Sequence, residues 1–315
     1  MDANFASTTQ EVRPAHQKRG SALIRYDHCR LYDRHRRPIG IPRLSRWVRK
    51  AAERLTVDLS GMSGASFCCG TGLNEAELLR HLELGGQRLG HLLCADASDG
   101  MLDAVKPKLA ERTSAWETRH LDVVRDEFDM DAKLHFAVCA QAIQHLDRQG
   151  ENFPHVRMFF RKVRQALVSG GSFYLIISTP QQVLDSHWFI AVMSGQRAFP
   201  AEEDPGRCFA AEHAELSTVA QLLEAAGFHL RKTRQLQGPH FRKESYFGDP
   251  GIVQGEEFRH ASSFFWLAKQ RGLIERYDEV LAEMIDAKEI ESHRIRCEER
   301  RKLLGVSYLL EATAT

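Results

Sequence analysis

The chain has 315 residues, 43% of them hydrophobic, which is enough to bury a full core in one elaborated domain or two. Its 43 basic and 42 acidic residues leave a net charge of +1, which argues against broad attraction to DNA or RNA. No apolar run approaches the ~20 residues needed to span a bilayer, and residues 1–10 are polar and small rather than a secretory apolar run, so a cytoplasmic protein without a membrane partner is expected.

Residues 1–18 read as disordered. Residues 19–58 read as helices broken near Pro38 and Pro42, within a locally basic stretch over 13–49. That stretch reads as a solvated helix surface, with a nucleic-acid patch or a basic lid over an anionic substrate such as a carboxylate as the other readings. Tyr26-Asp27 and Tyr32-Asp33 repeat a Tyr-Asp pair six residues apart.

Residues 64–178 alternate short apolar runs with helical patterns, so βαβ units and a parallel sheet are predicted. The first run, Ala65-Ser66-Phe67, leads into Cys68-Cys69-Gly70-Thr71-Gly72-Leu73-Asn74-Glu75, and a helical pattern follows through Leu78, Leu79 and Leu82. A glycine turn between strand and helix lets backbone approach a ligand closely. Asp96 follows 24 residues after Gly72, at the end of the next predicted strand. A carboxylate there accepts hydrogen bonds from both ribose hydroxyls, so a nucleoside-containing cofactor is expected. The G-x-G-x-x-G spacing of dinucleotide sites and the lysine of a phosphate-binding G-x-x-x-x-G-K-[ST] loop are both absent, and Glu75 in the first helical turn would repel a phosphate.

Further along, Leu121-Asp122-Val123 follows a third strand. Phe136 to Leu146 reads as a fourth strand and its turn, with Gln141 and His145 just past the strand. Residues 163–176 read as a helix, a Gly170-Gly171 turn and a fifth strand. Because such sheets bind ligands at the carboxyl ends of their strands, Gly70, Asp96, Asp122 and Gln141 are predicted on one rim.

The 181–215 connection, with Trp188, Phe189, Phe199 and Pro200, reads as a lid, a substrate wall or a homodimer contact. Ser217 is the predicted N-cap of a helix over 219–226 that Gly227 ends. Strands are predicted over 228–236 and 306–310. Between them, Ile274, Tyr277, Val280, Leu281, Met284 and Ile285 recur at helical spacing, residues 264–267 suggest another helix, and the charged stretch 288–302 reads as a solvated helix end. The seven cysteines, Cys29, Cys68, Cys69, Cys94, Cys139, Cys208 and Cys297, form no C-x-x-C pair. Cys94 and Cys139 lie in apolar runs, where a thiol packs as a small hydrophobe. Neither disulfides nor structural zinc is expected, and no metal.

The Cys69-Gly70-Thr71-Gly72 turn, the Ala95-Asp96-Ala97-Ser98 segment with Met101-Leu102 after it, and the three later motifs resemble the class I S-adenosylmethionine (SAM) methyltransferases, small-molecule type. Five motifs stand in the family's order across residues 64–178. The resemblance implies a Rossmann-like seven-stranded α/β core with an antiparallel hairpin at its end. The core would take residues 59–239 and 304–315, with an N-terminal tail and helical lid over 1–58 and a helical cap over 240–303. It implies a loop contacting the methionine part of SAM, Asp96 on the ribose and Asp122 near the adenine amine. The implied cofactor set is Cys69, Gly70, Thr71, Gly72, Asn74, Asp96, Ala97, Met101, Asp122, Val123 and Gln141. A segment with Tyr-Asp and then Arg-Arg-Pro-Ile-Gly often closes over SAM in this family.

The sequence departs from the family at Ser66, where an acid is usual, and at Cys68, where glycine is usual. The acid often helps hold the loop and the amino group of SAM. Three readings are open: SAM bound with a different tail arrangement, a degenerate site, or a use of SAM other than methyl transfer.

Methyl transfer is an in-line displacement in which the enzyme mostly positions and desolvates. For a hydroxyl acceptor a general base helps, and His145 is the candidate. Gln141 is a candidate for the SAM tail or the acceptor, His187 and His240 are lid candidates, and Tyr26, Tyr32 and Tyr174 offer hydroxyls or ring faces toward the sulfonium. The leading expectation is methylation of a small metabolite in specialised biosynthesis. The alternative is attack by the SAM amine on its own γ-carbon, giving azetidine-2-carboxylate and methylthioadenosine, or the related aminocarboxypropyl transfer. This is favoured by Ser66, because an acid near the amine would hold it protonated. A non-enzymatic scaffold is the third.

Overall fold

A computed structural model describes residues 29–130, 133–147, 152–193 and 200–315. Among the described residues, seven strands form one sheet in the order β3-β2-β1-β4-β5-β7-β6. They are β1 (Ser63–Phe67), β2 (His91–Asp96), β3 (Ala115–His120), β4 (Leu134–Ala140), β5 (Leu167–Ile177), β6 (Phe228–Leu236) and β7 (Ser307–Ala314). The first five run parallel, and β7 lies antiparallel between β5 and β6.

The strands of the parallel core read as apolar runs because both faces are covered. Phe67, Ala95, Cys139 and Leu175 pack on one face, and Leu92, Cys94, Phe136, Val138 and Tyr174 on the other. Cys94 and Cys139 are buried in these layers as small apolar side chains. Gly64 permits this packing, since a Cβ there would lie 2.2 Å from the Phe136 ring. β3, at the edge, is correspondingly polar and exposed.

The N-terminal segment divides in two. α1 (Cys29–His35) lies near the carboxyl rim of the sheet, while α2 (Ile41–Leu55) buries Ile41, Leu44, Trp47, Val48 and Ala51 against the sheet. Pro42 sits in the first turn of α2, where its missing N–H costs nothing. α2 is therefore a layer of the core, and a lid over residues 1–58 is confined to the chain before it.

The core helices that follow are α3 (Leu73–Glu83), α4 (Asp99–Leu109) and α5 (Pro154–Ala166). After β5 come α6 (Pro180–Ser186), opened by a Thr179–Gln182 capping box, α7 (Pro205–Ala210) and α8 (Leu216–Ala225). α8 begins three residues before the expected 219 start, behind Glu215 rather than Ser217, and Gly227 ends it at φ 84°. Between β6 and β7 stand α9 (Lys243–Phe247), α10 (Glu256–His260), α11 (Ser263–Gln270), α12 (Ile274–Asp286) and α13 (Ile290–Leu304). They share a third apolar cluster with the 183–193 segment, built on Trp188, Phe189, Phe264 and Tyr277.

The charged 288–302 stretch is a correction. It is a helix in its own right, packed on α6, rather than a solvated helix end. Its arginines lie along apolar surface and bond carbonyls: Arg294 donates to Tyr246 O at 3.0 Å, and Arg301 to Gln237 O. Among the described residues no helix is long and apolar enough to cross a membrane.

Candidate functional site

The carboxyl ends of β1, β2, β3 and β4 are aligned by register: Phe67 opposes Ala95 and Cys139, and Asp96 opposes His120. A cavity of about 180 Å³ lies over this rim. Its floor is the turn between β1 and α3. Gly70 and Gly72 take left-handed φ of 56° and 75°. A Cβ on Gly70 would meet nothing within 4 Å, so the cradle above the turn is open, and one on Gly72 would meet Val105 at 3.0 Å. Cys68 also has a positive φ of 54°, which explains why the related pattern prefers glycine there; a side chain in this region costs about 1–2 kcal/mol. A hydrogen bond from Cys139 and burial hold the Cys68 thiol well above its ordinary range, and Cys94 and burial do the same for Cys69.

Asp96, the last residue of β2, ties strand to turn. Its Oδ2 accepts from Gly70 N–H at 2.8 Å and its Oδ1 from Ser98 N–H at 2.9 Å. Burial raises its pKa. Each oxygen has capacity to accept a further hydrogen bond, and Asp96 lines the cavity. Asp122 follows β3, and its Oδ1 accepts from Val124 N–H at 3.0 Å and Arg125 N–H at 3.3 Å, with Arg125 Nε 3.5 Å from Oδ2. Ser98 caps α4 by accepting from Met101 N–H at 3.3 Å, which seats Met101 in the wall.

The predicted residues converge. Cys69, Gly70, Thr71, Asn74, Asp96 and Ala97 line this cavity, as do Met101, Asp122, Val123, Gln141, His145 and Tyr32. Gly72 lies outside the lining and serves as the N-cap of α3. Tyr26 lies outside the described residues. Tyr174 is a correction: alternation along β5 points it to the opposite layer, where its hydroxyl donates to Trp47 O at 3.0 Å and burial raises its pKa.

Two candidate side chains are engaged otherwise than expected. The Gln141 amide is held by Ser307 Oγ at 2.9 Å and Ser178 Oγ at 3.3 Å, so it joins β4 to β5 and β7. Burial pushes His145 down to about 3, which makes it unprotonated at neutral pH but a weak base. Its Nε2 accepts from Gln144 Nε2 at 3.3 Å, and the Gln144 amide also donates to Gln141 O.

The rest of the wall comes from the Tyr-Asp and Arg-Arg-Pro-Ile-Gly segment and from the lid candidate His240, through contacts that the sequence does not show. Asp33 on α1 accepts from Thr71 Oγ1 at 2.6 Å and pairs with Lys108 Nζ at 2.7 Å, so α1, the turn and α4 are joined. Arg36 bridges to Phe241, Arg37 N–H donates to His240 O at 3.1 Å, and Arg242 N–H to His35 O at 2.8 Å. This short pairing brings Arg36, Arg37 and His240 over the cavity. The Arg-Arg-Pro-Ile-Gly segment was the available signal for the two arginines.

The reversed strand beside β5 and a ligand cavity at the carboxyl rim decide the architecture. The chain has the class I methyltransferase fold. No family model and no curated protein matches its sequence. Among solved structures it is similar to the cyclase SpnF, with 14% identity, 86% of this chain and 81% of that one covered, and a TM-score of 0.48. A SAM-dependent methyltransferase from Mesorhizobium loti gives 15%, 84%, 96% and 0.41, and one from Aquifex aeolicus gives 12%, 59%, 82% and 0.39.

Proposed function

We propose that this chain is a SAM-dependent transferase acting on a small metabolite, and that it transfers the methyl group. The observation that carries this reading is the placement of Asp96 and Asp122 at the ends of neighbouring strands, facing one open glycine cradle. The residues present fit SAM: the Gly70 cradle is open, and Asp96 is already oriented by two backbone N–H groups. SAM supplies an electrophilic methyl on a sulfonium. The chain positions and desolvates. Asp96 receives the ribose hydroxyls, Asp122 faces the adenine amine, and α1 with the 240–242 segment excludes water above the rim. His145 holds or orients the acceptor by hydrogen bonding rather than removing its proton, because burial leaves it a weak base.

One observation favours the second use of the cofactor, attack on the γ-carbon of the aminocarboxypropyl arm. Ser66 stands where an acid is usual, and the carboxyl bonded to it, Glu75, is pushed up to about 7 by burial. The floor of the turn thus lacks a full negative charge to hold an amine protonated.

Incubating the purified protein with SAM alone and identifying products by mass spectrometry separates these readings. SAM bound and returned intact supports methyl transfer to a missing acceptor. Methylthioadenosine forming faster than without protein supports the second reading and overturns the first.

A further inference from the structure

A second, smaller chamber of about 50 Å³ opens beside the cofactor cavity and shares Tyr32, Arg36, Gln141, His145 and His240 with it. Its wall adds His187 and His213, together with Ser178, Ser262 and Ser263, and no described residue lining it is a carboxylate. Burial lowers the pKa of all four imidazoles, to about 3 for His145 and His187 and about 4 for His213, so they are neutral near pH 7. The chamber's charge therefore rests on Arg36.

Arg36 is built into place. Its guanidinium lies 4.2 Å from the Phe241 ring centroid and 5.2 Å from that of Tyr32, and its Nε donates to Ala261 O at 2.7 Å. No described residue forms an ion pair with it. A half-buried guanidinium without a counter-ion is costly, and its planar fork matches a carboxylate in a bidentate pair.

The neutral rings beside it supply donors. Gln144 donates to His145 Nε2, so the His145 proton sits on Nδ1. Gln141 Nε2 donates to Ser307 Oγ, which lies 2.7 Å from His240 Nε2, while Ser178 Oγ donates to Val306 O. Ser307 Oγ–H has two acceptors in reach, His240 Nε2 at 2.7 Å and Ser178 Oγ at 3.1 Å; with its proton on His240 Nε2, the Nδ1–H of that ring is a donor. Among the described residues the four rings are not arranged as a metal ligand set.

We propose that this chamber receives a carboxylate of the acceptor substrate, with Arg36 as counter-ion and His145 and His240 as neutral donors. The inference rests on the SAM-transferase reading and names the substrate class for it. About 50 Å³ is room for a few water-sized groups, so the chamber takes the acid head while the rest of the acceptor lies toward the cofactor cavity. The substrate is thus a small carboxylic acid.

The test is calorimetry on the full chain saturated with S-adenosylhomocysteine, with acetate and benzoate as probes, each beside its amide. At least one acid binds about tenfold tighter than its amide in the wild type, and the preference falls to within about twofold in Arg36→Gln and partly returns in Arg36→Lys. An unchanged circular dichroism spectrum and thermal midpoint in Arg36→Gln show that the variant is folded. If Arg36→Gln weakens S-adenosylhomocysteine but not methylthioadenosine, which lacks the amino-acid arm, the guanidinium serves the cofactor's own carboxylate and the proposal fails. Cofactor binding without any preference for the acids overturns the proposal alone, whereas no binding of S-adenosylhomocysteine to the wild type overturns the SAM reading as well.

Discussion

Ser66 Oγ donates to Glu75 Oε1 at 2.6 Å beneath the glycine turn, with both side chains buried. The strand itself carries no carboxyl here, and the first turn of α3 supplies one. Burial pushes Glu75 from its ordinary 4.5 up to about 7, against the bond from Ser66, and its Oε2 has no hydrogen-bond partner among the described residues.

This pair makes stability depend on pH. The folded pKa lies above the unfolded one, so between pH 4.5 and about 7 the folded state holds more protons and stability falls as pH rises. A shift of this size corresponds to about 3 kcal/mol. Glu75→Gln is expected to flatten that fall, leaving the variant more stable than the wild type above pH 7. Urea midpoints from pH 5 to 8 check this, and parallel curves for the two proteins would contradict it.

Asp96 is held by Gly70 and Ser98 before any ligand arrives. Asp96→Asn is expected to weaken S-adenosylhomocysteine binding by about 10- to 100-fold, the scale of hydrogen bonds to a charged acceptor. Calorimetry measures it, and an unchanged affinity would remove the ribose assignment.

Asp33 joins α1 to the turn through Thr71 and to α4 through Lys108. Asp33→Ala is expected to free α1 while leaving the sheet intact. Limited proteolysis should then cut near residues 29–36 faster than in the wild type, and cofactor affinity should fall by about fivefold, corresponding to roughly 1 kcal/mol. Equal proteolysis rates would show that α1 is held by its other contacts.

Tyr174 is a structural residue, so Tyr174→Phe should cost about 1 kcal/mol by removing its hydroxyl's bond to Trp47 O. Cofactor affinity should stay the same. A loss of affinity with unchanged stability would return Tyr174 to the site.

The sheet and its rim were legible because parallel strands write themselves as apolar runs and the rim acids follow them directly. Asp96 and Asp122 needed no tertiary information. Gln141 and His145 were placed at the rim, but their engagement was hidden, since Ser178 and Ser307 come from strands far along the chain. Arg36 and His240 meet through a pairing about 200 residues apart in sequence, which periodicity cannot show. Glu75 reads as a charge opposing phosphate, and only the packing of α3 on β1 reveals it as a buried partner of Ser66. The α13 charges misled for the opposite reason: arginine stems cover apolar surface while their heads reach carbonyls.

A structure of the chain with S-adenosylhomocysteine bound tests the cofactor site most directly. The ribose hydroxyls are expected on Asp96, the adenine beside Asp122 and the amino-acid arm over the Cys69–Gly72 turn. A ligand seated elsewhere, or one whose ribose makes no contact with Asp96, would contradict that placement.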